Sequence, residues 1–215
     1  MDPGEVPTYS VSAIEKRAAD LLTRSWPAPV PIPVDVEYLL ETQPGVLLDI
    51  LPGLRDRAGV DGVVYRRDHG AFLVIIDQQI ADRPNSHRYR FTVGEELGHV
   101  VLHRAVLERV EDIATAVALM NHESYWEMDR NARRFAAATL MPPDEVVAAA
   151  RRHFPGIIDY LGYAGPGSVM AALSMALGQE FRVSAEAMRY RLRNWPVRIE
   201  DRVGRALGRR HTHLE

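Results

Sequence analysis

Arg90-Phe91-Thr92-Val93-Gly94-Glu95-Glu96-Leu97-Gly98-His99-Val100-Val101-Leu102-His103 is the stretch on which the reading of this chain turns. Its pattern predicts a helix from Arg88 to about Glu108. A helix places residues four apart on one face, about 6 Å from each other. Glu95, His99 and His103 therefore form one stripe, and Glu96 lies about 100° around the axis from Glu95. In an H-E-x-x-H helix the two outer residues hold a metal ion, while the glutamate handles the protons of a bound water. Here Glu95 and His99 are the outer pair and Glu96 keeps the base position. Alone, an E-E-x-x-H match is weak, because paired glutamates and histidines occur by chance on many helices. His103 taken alone reads as a buried helix histidine or a partner for a backbone carbonyl, and Asp129 taken alone as a solvated carboxylate.

Upstream of this helix, Val46–Leu51, Gly62–Arg66 and Ala71–Ile76 read as strands, with Asp68-His69-Gly70 as a hairpin turn between the last two. The third run is apolar throughout, as expected of a strand covered on both faces. Closer to the N-terminus, Val11 to Thr23 and Asp35 to Leu40 read as helices, the first with Ser12 as a candidate cap. Between them lies Trp26-Pro27-Ala28-Pro29-Val30-Pro31-Ile32-Pro33. Proline fixes φ and lacks a donor, so this run is an extended connector. Downstream, a helix from about Tyr125 to Leu140 stops at Met141-Pro142-Pro143, and another runs from Asp144 to His153 with acidic residues in its first turn. Beyond a Gly- and Pro-containing stretch from Gly162 to Gly167 come two short helices, Ser168 to Leu177 and Ser184 to Asn194, with Ser184 as N-cap. Helices, a small three-stranded sheet and more helices make an α+β fold class.

Composition narrows the function. The chain has 215 residues, 47% apolar and 26% charged, which suits one compact domain or a domain with a small appendage. Cysteine is absent, which excludes disulfides, thiolate zinc sites and cysteine nucleophiles and fits a reducing cytoplasm. The acidic start Met1-Asp2-Pro3-Gly4-Glu5 lacks the apolar run of a signal peptide, and no stretch approaches the roughly 18 apolar residues of a membrane span. A soluble cytoplasmic protein with no membrane partner is the expectation. The net charge of -3 gives no general pull toward nucleic acid. Arginines gather from Arg182 onward, but Glu186, Glu200 and Asp201 interrupt them, so they read as a solvated helical surface rather than a nucleic-acid site.

The surroundings strengthen the central motif. Arg90 to His103 resembles the signature of the ImmA/IrrE family of metallopeptidase-like proteins, which typically reads Arg-Phe-Thr, a small residue, H-E-L-G-H and a further leucine-histidine. The family's second signature is an acidic residue followed by Asn/Ala, a Phe-Ala pair and Leu-Met-Pro. It resembles Asp129-Arg130-Asn131-Ala132-Arg133-Arg134-Phe135-Ala136-Ala137-Ala138-Thr139-Leu140-Met141-Pro142. Pro33-Val34-Asp35-Val36-Glu37 and the segment Phe181 to Leu192 are similar to its opening and closing segments, so the resemblance spans roughly Ala18 to Asn194.

That resemblance implies a zincin-like domain over 1–160, with a central metal-site helix and a small helical extension over 161–215 packed on it. It implies one divalent metal ion, zinc first and Mn2+ or another ion next, held by Glu95, His99 and Asp129, with Glu96 as catalytic general base. Two ligand positions depart from the family pattern. Glu95 stands where histidine is typical, and Asp129 where the third ligand is usually glutamate. A Glu/His/Asp set leaves the ion formally neutral, which weakens it as a Lewis acid and makes its bound water less acidic. Oxygen ligands also move the preference from zinc toward Mn, Fe or Mg. His99 with His103 is an alternative ligand pair that puts Val100 in the base position; Glu123, Glu127 and His122 are reserve donors. Without metal, Glu95, Glu96 and Asp129 form a carboxylate cluster that raises a pKa or recruits Arg90, Arg133 or Arg134.

The implied function is a metal-dependent endopeptidase acting on a helix-turn-helix transcriptional repressor in a stress or mobile-element response. The alternative is a degenerate relative that binds a repressor, or serves as a scaffold, without cleaving it. Direct nucleic-acid binding ranks last.

Overall fold

The computed structural model describes residues 6–67, 70–83, 86–162 and 165–211. The chain divides into two compact units, Met1–Leu140 and Met141–Glu215. Together the described residues form twelve helices and one three-stranded sheet, an α+β architecture.

In the first unit, α1 (Val11–Ser25) buries Ile14, Ala18, Leu21 and Leu22, and Ser10 rather than Ser12 caps it by accepting from the Ala13 N–H. Helix α2 (Val36–Glu41) is capped by Asp35. Strands β1 (Val46–Leu51), β2 (Gly62–Arg66) and β3 (Phe72–Asp77) assemble in the order β1-β3-β2, with β1 parallel and β2 antiparallel to β3. The apolar run of β3 is buried at every position, as a central strand with two covered faces should be. Gly70, with φ of 78°, closes the expected hairpin turn; Asp68 and His69 lie outside the described residues.

Single-turn helices α3 (Leu54–Ala58) and α4 (Gln78–Ala81) follow β1 and β3. They are too short to leave a periodic signal. Helix α5 (His87–Leu102) starts at Ser86, whose hydroxyl accepts from the Tyr89 N–H. It ends at Leu102, well short of the expected end near Glu108. His103 leaves helical geometry, with φ of -121° and ψ of 21°, and a separate turn α6 (Arg104–Leu107) follows. Helix α7 (Ile113–Met120) begins with a capping box between Asp112 and Thr115. Its residues are almost uniformly apolar, so no amphipathic period announces it. Helix α8 (Tyr125–Leu140) then lies along α5.

The α5–α8 contact sets the geometry of the site. A Cβ at Gly98 would stand 2.8 Å from the Ala132 carbonyl oxygen, and one at Gly94 would stand 3.1 Å from the Ala136 Cβ. Glycines four apart on α5 face alanines four apart on α8, so the two backbones approach closely. Arg90, near the start of α5, donates to the Val34 carbonyl at 2.7 Å and ties the helix to the proline-rich connector.

The second unit is helical: α9 (Pro143–Leu161), α10 (Pro166–Phe181), α11 (Ala185–Arg193) and α12 (Ile199–His211). Helix α9 continues through Pro155 to Leu161, beyond its expected end at His153. Ser184 caps α11 as its sequence suggests. The arginine-rich tail forms α12, which buries Ile199, Val203 and Leu207.

Candidate functional site

Glu95, Glu96 and His99 project from the middle of α5, and Asp129 from the first half of α8. Because Gly94 and Gly98 admit α8 so closely, Glu95 and Asp129 come to opposite sides of one side chain, Arg133. The Arg133 guanidinium lies 3.5 Å from a Glu95 carboxylate oxygen through Nε and 3.1 Å from an Asp129 oxygen through Nη2. Asp129 and Arg133 are four apart on α8, so the helix itself presents that half of the bridge. Arg133 is 63% exposed and the two carboxylates are 29% and 25% exposed. Each contact is therefore worth less than about 1 kcal/mol.

Glu96 points elsewhere. It is buried, at 7% exposure, against the edge strand β2. A Cβ at Gly62 would lie 2.8 Å from its Oε1, so the carboxyl occupies space that only glycine leaves open. Burial, then the charges of Glu95 and Asp129, push its pKa up to about 8. Burial also raises Glu95, to about 7; Arg133 pulls the other way, and Asp129 and Asp61 reinforce the rise. Asp129 is raised by burial and held back by Arg133. Near neutral pH, then, Glu96 is a protonated acid and Glu95 is close to its midpoint.

His99 is buried at 4% exposure and stacks on Tyr125 with ring centroids 5.7 Å apart and planes 11° apart. Burial, His103 and Arg133 push its pKa down to about 3, so the imidazole is neutral. His103 is fully buried, 5.3 Å from His99 by ring centroid and edge-on to Tyr9. Burial lowers its pKa to about 4. The reserve donors are engaged or exposed. Glu127 pairs with Arg130 and accepts from Asn131 at 3.2 Å, the Ser124 N–H donates to His122 at 3.2 Å, and Glu123 is exposed.

Among the described residues no three His, Asp or Glu side chains converge as metal ligands would. The positive charge between Glu95 and Asp129 is a guanidinium, and the same charge acts on His99. As arranged, this donor set does not fit a divalent ion, which would have to compete with Arg133 for both carboxylates. The geometry is that of the carboxylate cluster with a recruited arginine, and Arg133 is the recruit. Tyr125 and Gly62 are site residues that motif reading missed. Tyr125 had one legible signal, its position four residues before Asp129 on the same helix face. Gly62 had none, because its role depends on how β2 lies against α5.

A search of curated proteins finds no match to the chain. The family model Peptidase_M78, described as IrrE N-terminal-like domain, matches residues 69–193. That span is more than half of the chain and carries both signature segments, with Glu95, Glu96 and His99 in one and Asp129 and Arg133 in the other. With α5 paired to α8 and packed on a small mixed sheet, this chain belongs to the IrrE N-terminal-like domain family and is a metallopeptidase-like member of it.

Proposed function

We propose that the chain uses the peptidase scaffold as a binding module for a protein partner, with its metal centre replaced by the Glu95–Arg133–Asp129 bridge. One observation carries this reading: a side chain of the protein supplies the cation between the two carboxylates. The departures at the ligand positions point the same way, since Glu95 and Asp129 are well suited to an arginine and poorly suited to a strongly Lewis-acidic zinc. By family resemblance the partner is a helix-turn-helix DNA-binding repressor, held without cleavage in a stress or mobile-element response. The lack of cysteine supports a cytoplasmic setting.

The test is titration of chelator-free protein with Zn2+ and Mn2+, alongside size-exclusion chromatography with helix-turn-helix repressors of the same organism. Expected are no stoichiometric ion and a stable complex with intact repressor. A one-to-one ion lost on Glu95→Ala or His99→Ala would overturn the reading, as would failure to form the complex.

One observation favours hydrolysis as the second reading: Glu96 keeps the base position on α5, between the ligand positions Glu95 and His99. That reading requires Arg133 to leave the two carboxylates. Its signature is chelator-sensitive cleavage of the repressor, lost on Glu96→Gln.

A further inference from the structure

The second unit contains a cavity that no part of this reading uses. Val147, Ala150 and Phe154 recur at three- and four-residue intervals and line one wall from α9. Ile199, Val203 and Ala206 do the same from α12, and Leu173 of α10 forms the floor. Together they line an open groove of about 230 Å³ with predominantly apolar walls. Among the described residues its charged lining is Arg151 and Arg202, one from each wall helix, and both are exposed.

Three neighbouring basic groups in this unit are paired. Arg152 and His153 both engage Glu180, at 2.5 and 2.8 Å, and Arg193 engages Glu200 at 3.1 Å. Among the described residues, Arg151 and Arg202 form no ion pair with a carboxylate and no acidic side chain lines the cavity. An apolar trough flanked by two uncommitted guanidinium groups is complementary to a molecule with an anionic head and a short apolar body. Arginine's planar fork suits a carboxylate in particular. The volume falls just under the ~300–1,000 Å³ of pockets for drug-sized ligands. That size suits a short aliphatic body rather than a drug-sized one.

We propose that the groove between α9 and α12 is a binding site for a medium-chain monocarboxylate, its aliphatic body against Val147, Phe154 and Val203 and its carboxylate between Arg151 and Arg202. The site lies wholly within the second unit and does not depend on whether the α5–α8 cluster binds metal.

Calorimetric titration of the full chain with octanoate, below its micelle concentration, tests this. Saturable one-to-one binding is expected, with octanol (the body without the charge) and acetate (the head without the body) at least tenfold weaker. The Arg151→Gln/Arg202→Gln double variant, changed only at exposed positions, should weaken octanoate at least tenfold and leave octanol unaffected. Ala206→Phe should fill the trough and abolish binding while leaving the circular dichroism spectrum unchanged. Absence of saturable binding overturns the proposal. So does equal affinity for octanol and octanoate, or an unchanged affinity in the double variant. Capture of an acidic amphipathic peptide in the groove, with no octanoate binding, also overturns it.

Discussion

Burial acts in opposite senses on the two ionisable groups at the centre of α5. Glu96 holds its proton up to about pH 8, and His99 refuses one down to about pH 3. The signs follow from linkage. A carboxyl whose folded pKa is raised contributes stability that is complete below its unfolded value, near 4.5, and is lost as pH rises through 8. A histidine whose folded pKa is lowered contributes stability present above 6.5 and lost as pH falls toward 3. The two trends offset each other between about pH 4.5 and 6.5, where stability should be greatest, and the carboxyl dominates from 6.5 to 8. Glu96→Gln removes that ionisation. In urea titrations between pH 7 and 8 its unfolding free energy should fall distinctly less than that of the wild type, which falls by on the order of 1 kcal/mol per pH unit; the residual decline belongs to Glu95, raised to about 7. Parallel decline of both proteins would show that Glu96 is not the group responsible. Arg133 gives a second residue-level expectation. It lowers the Glu95 pKa yet is largely exposed, so Arg133→Ala should move the Glu95 carboxyl titration upward by NMR while costing less than about 1 kcal/mol of stability.

At the scale of elements, the approach of α5 to α8 is a matter of missing methyl groups. Gly98 faces the Ala132 backbone, with a Cβ position 2.8 Å from its carbonyl oxygen and 2.9 Å from its Cα. Backbone cannot rotate aside, so Gly98→Ala must push the helices apart and should cost roughly 1–3 kcal/mol, despite alanine's better helix propensity. Gly94→Ala meets mainly the Ala136 side chain at 3.1 Å and should cost less. Thermal unfolding of both variants checks the order; equal melting temperatures would refute the close-contact account. The same displacement would carry Arg133 and Asp129 away from Glu95, so Gly98→Ala should also raise the Glu95 titration. The start of α7 rests on a different device. Asp112 and Thr115 satisfy each other's backbone donors, and Asp112→Ala should lower the melting temperature by removing the cap.

At the scale of the whole molecule, a bound ion would stabilise the folded chain by mass action. If the Arg133 bridge stands in for metal, the melting temperature should be the same with and without a strong chelator; a drop of several degrees would restore a structural ion. The sequence by itself determined the α+β class, the two covered faces of the apolar β3 and, through the family resemblance, the two signature helices that share the site. These rest on local periodicity, caps and motif order, which survive in one dimension. It also placed Glu95, Glu96, His99 and Asp129 as the chemical residues and named Arg133 among three arginines a metal-free cluster could recruit. Only the tertiary structure chose Arg133, because the choice depends on the close approach of two helices joined by a long intervening chain. The same holds for Gly62, whose missing side chain makes room for the Glu96 carboxyl, and for Tyr125 stacked on His99. Arg151 and Arg202, some fifty residues apart in sequence, likewise face one groove only because α9 and α12 flank α10. Periodicity reports which face of a helix is apolar. Which partner that face meets, and which charges the encounter leaves unpaired, is settled by packing.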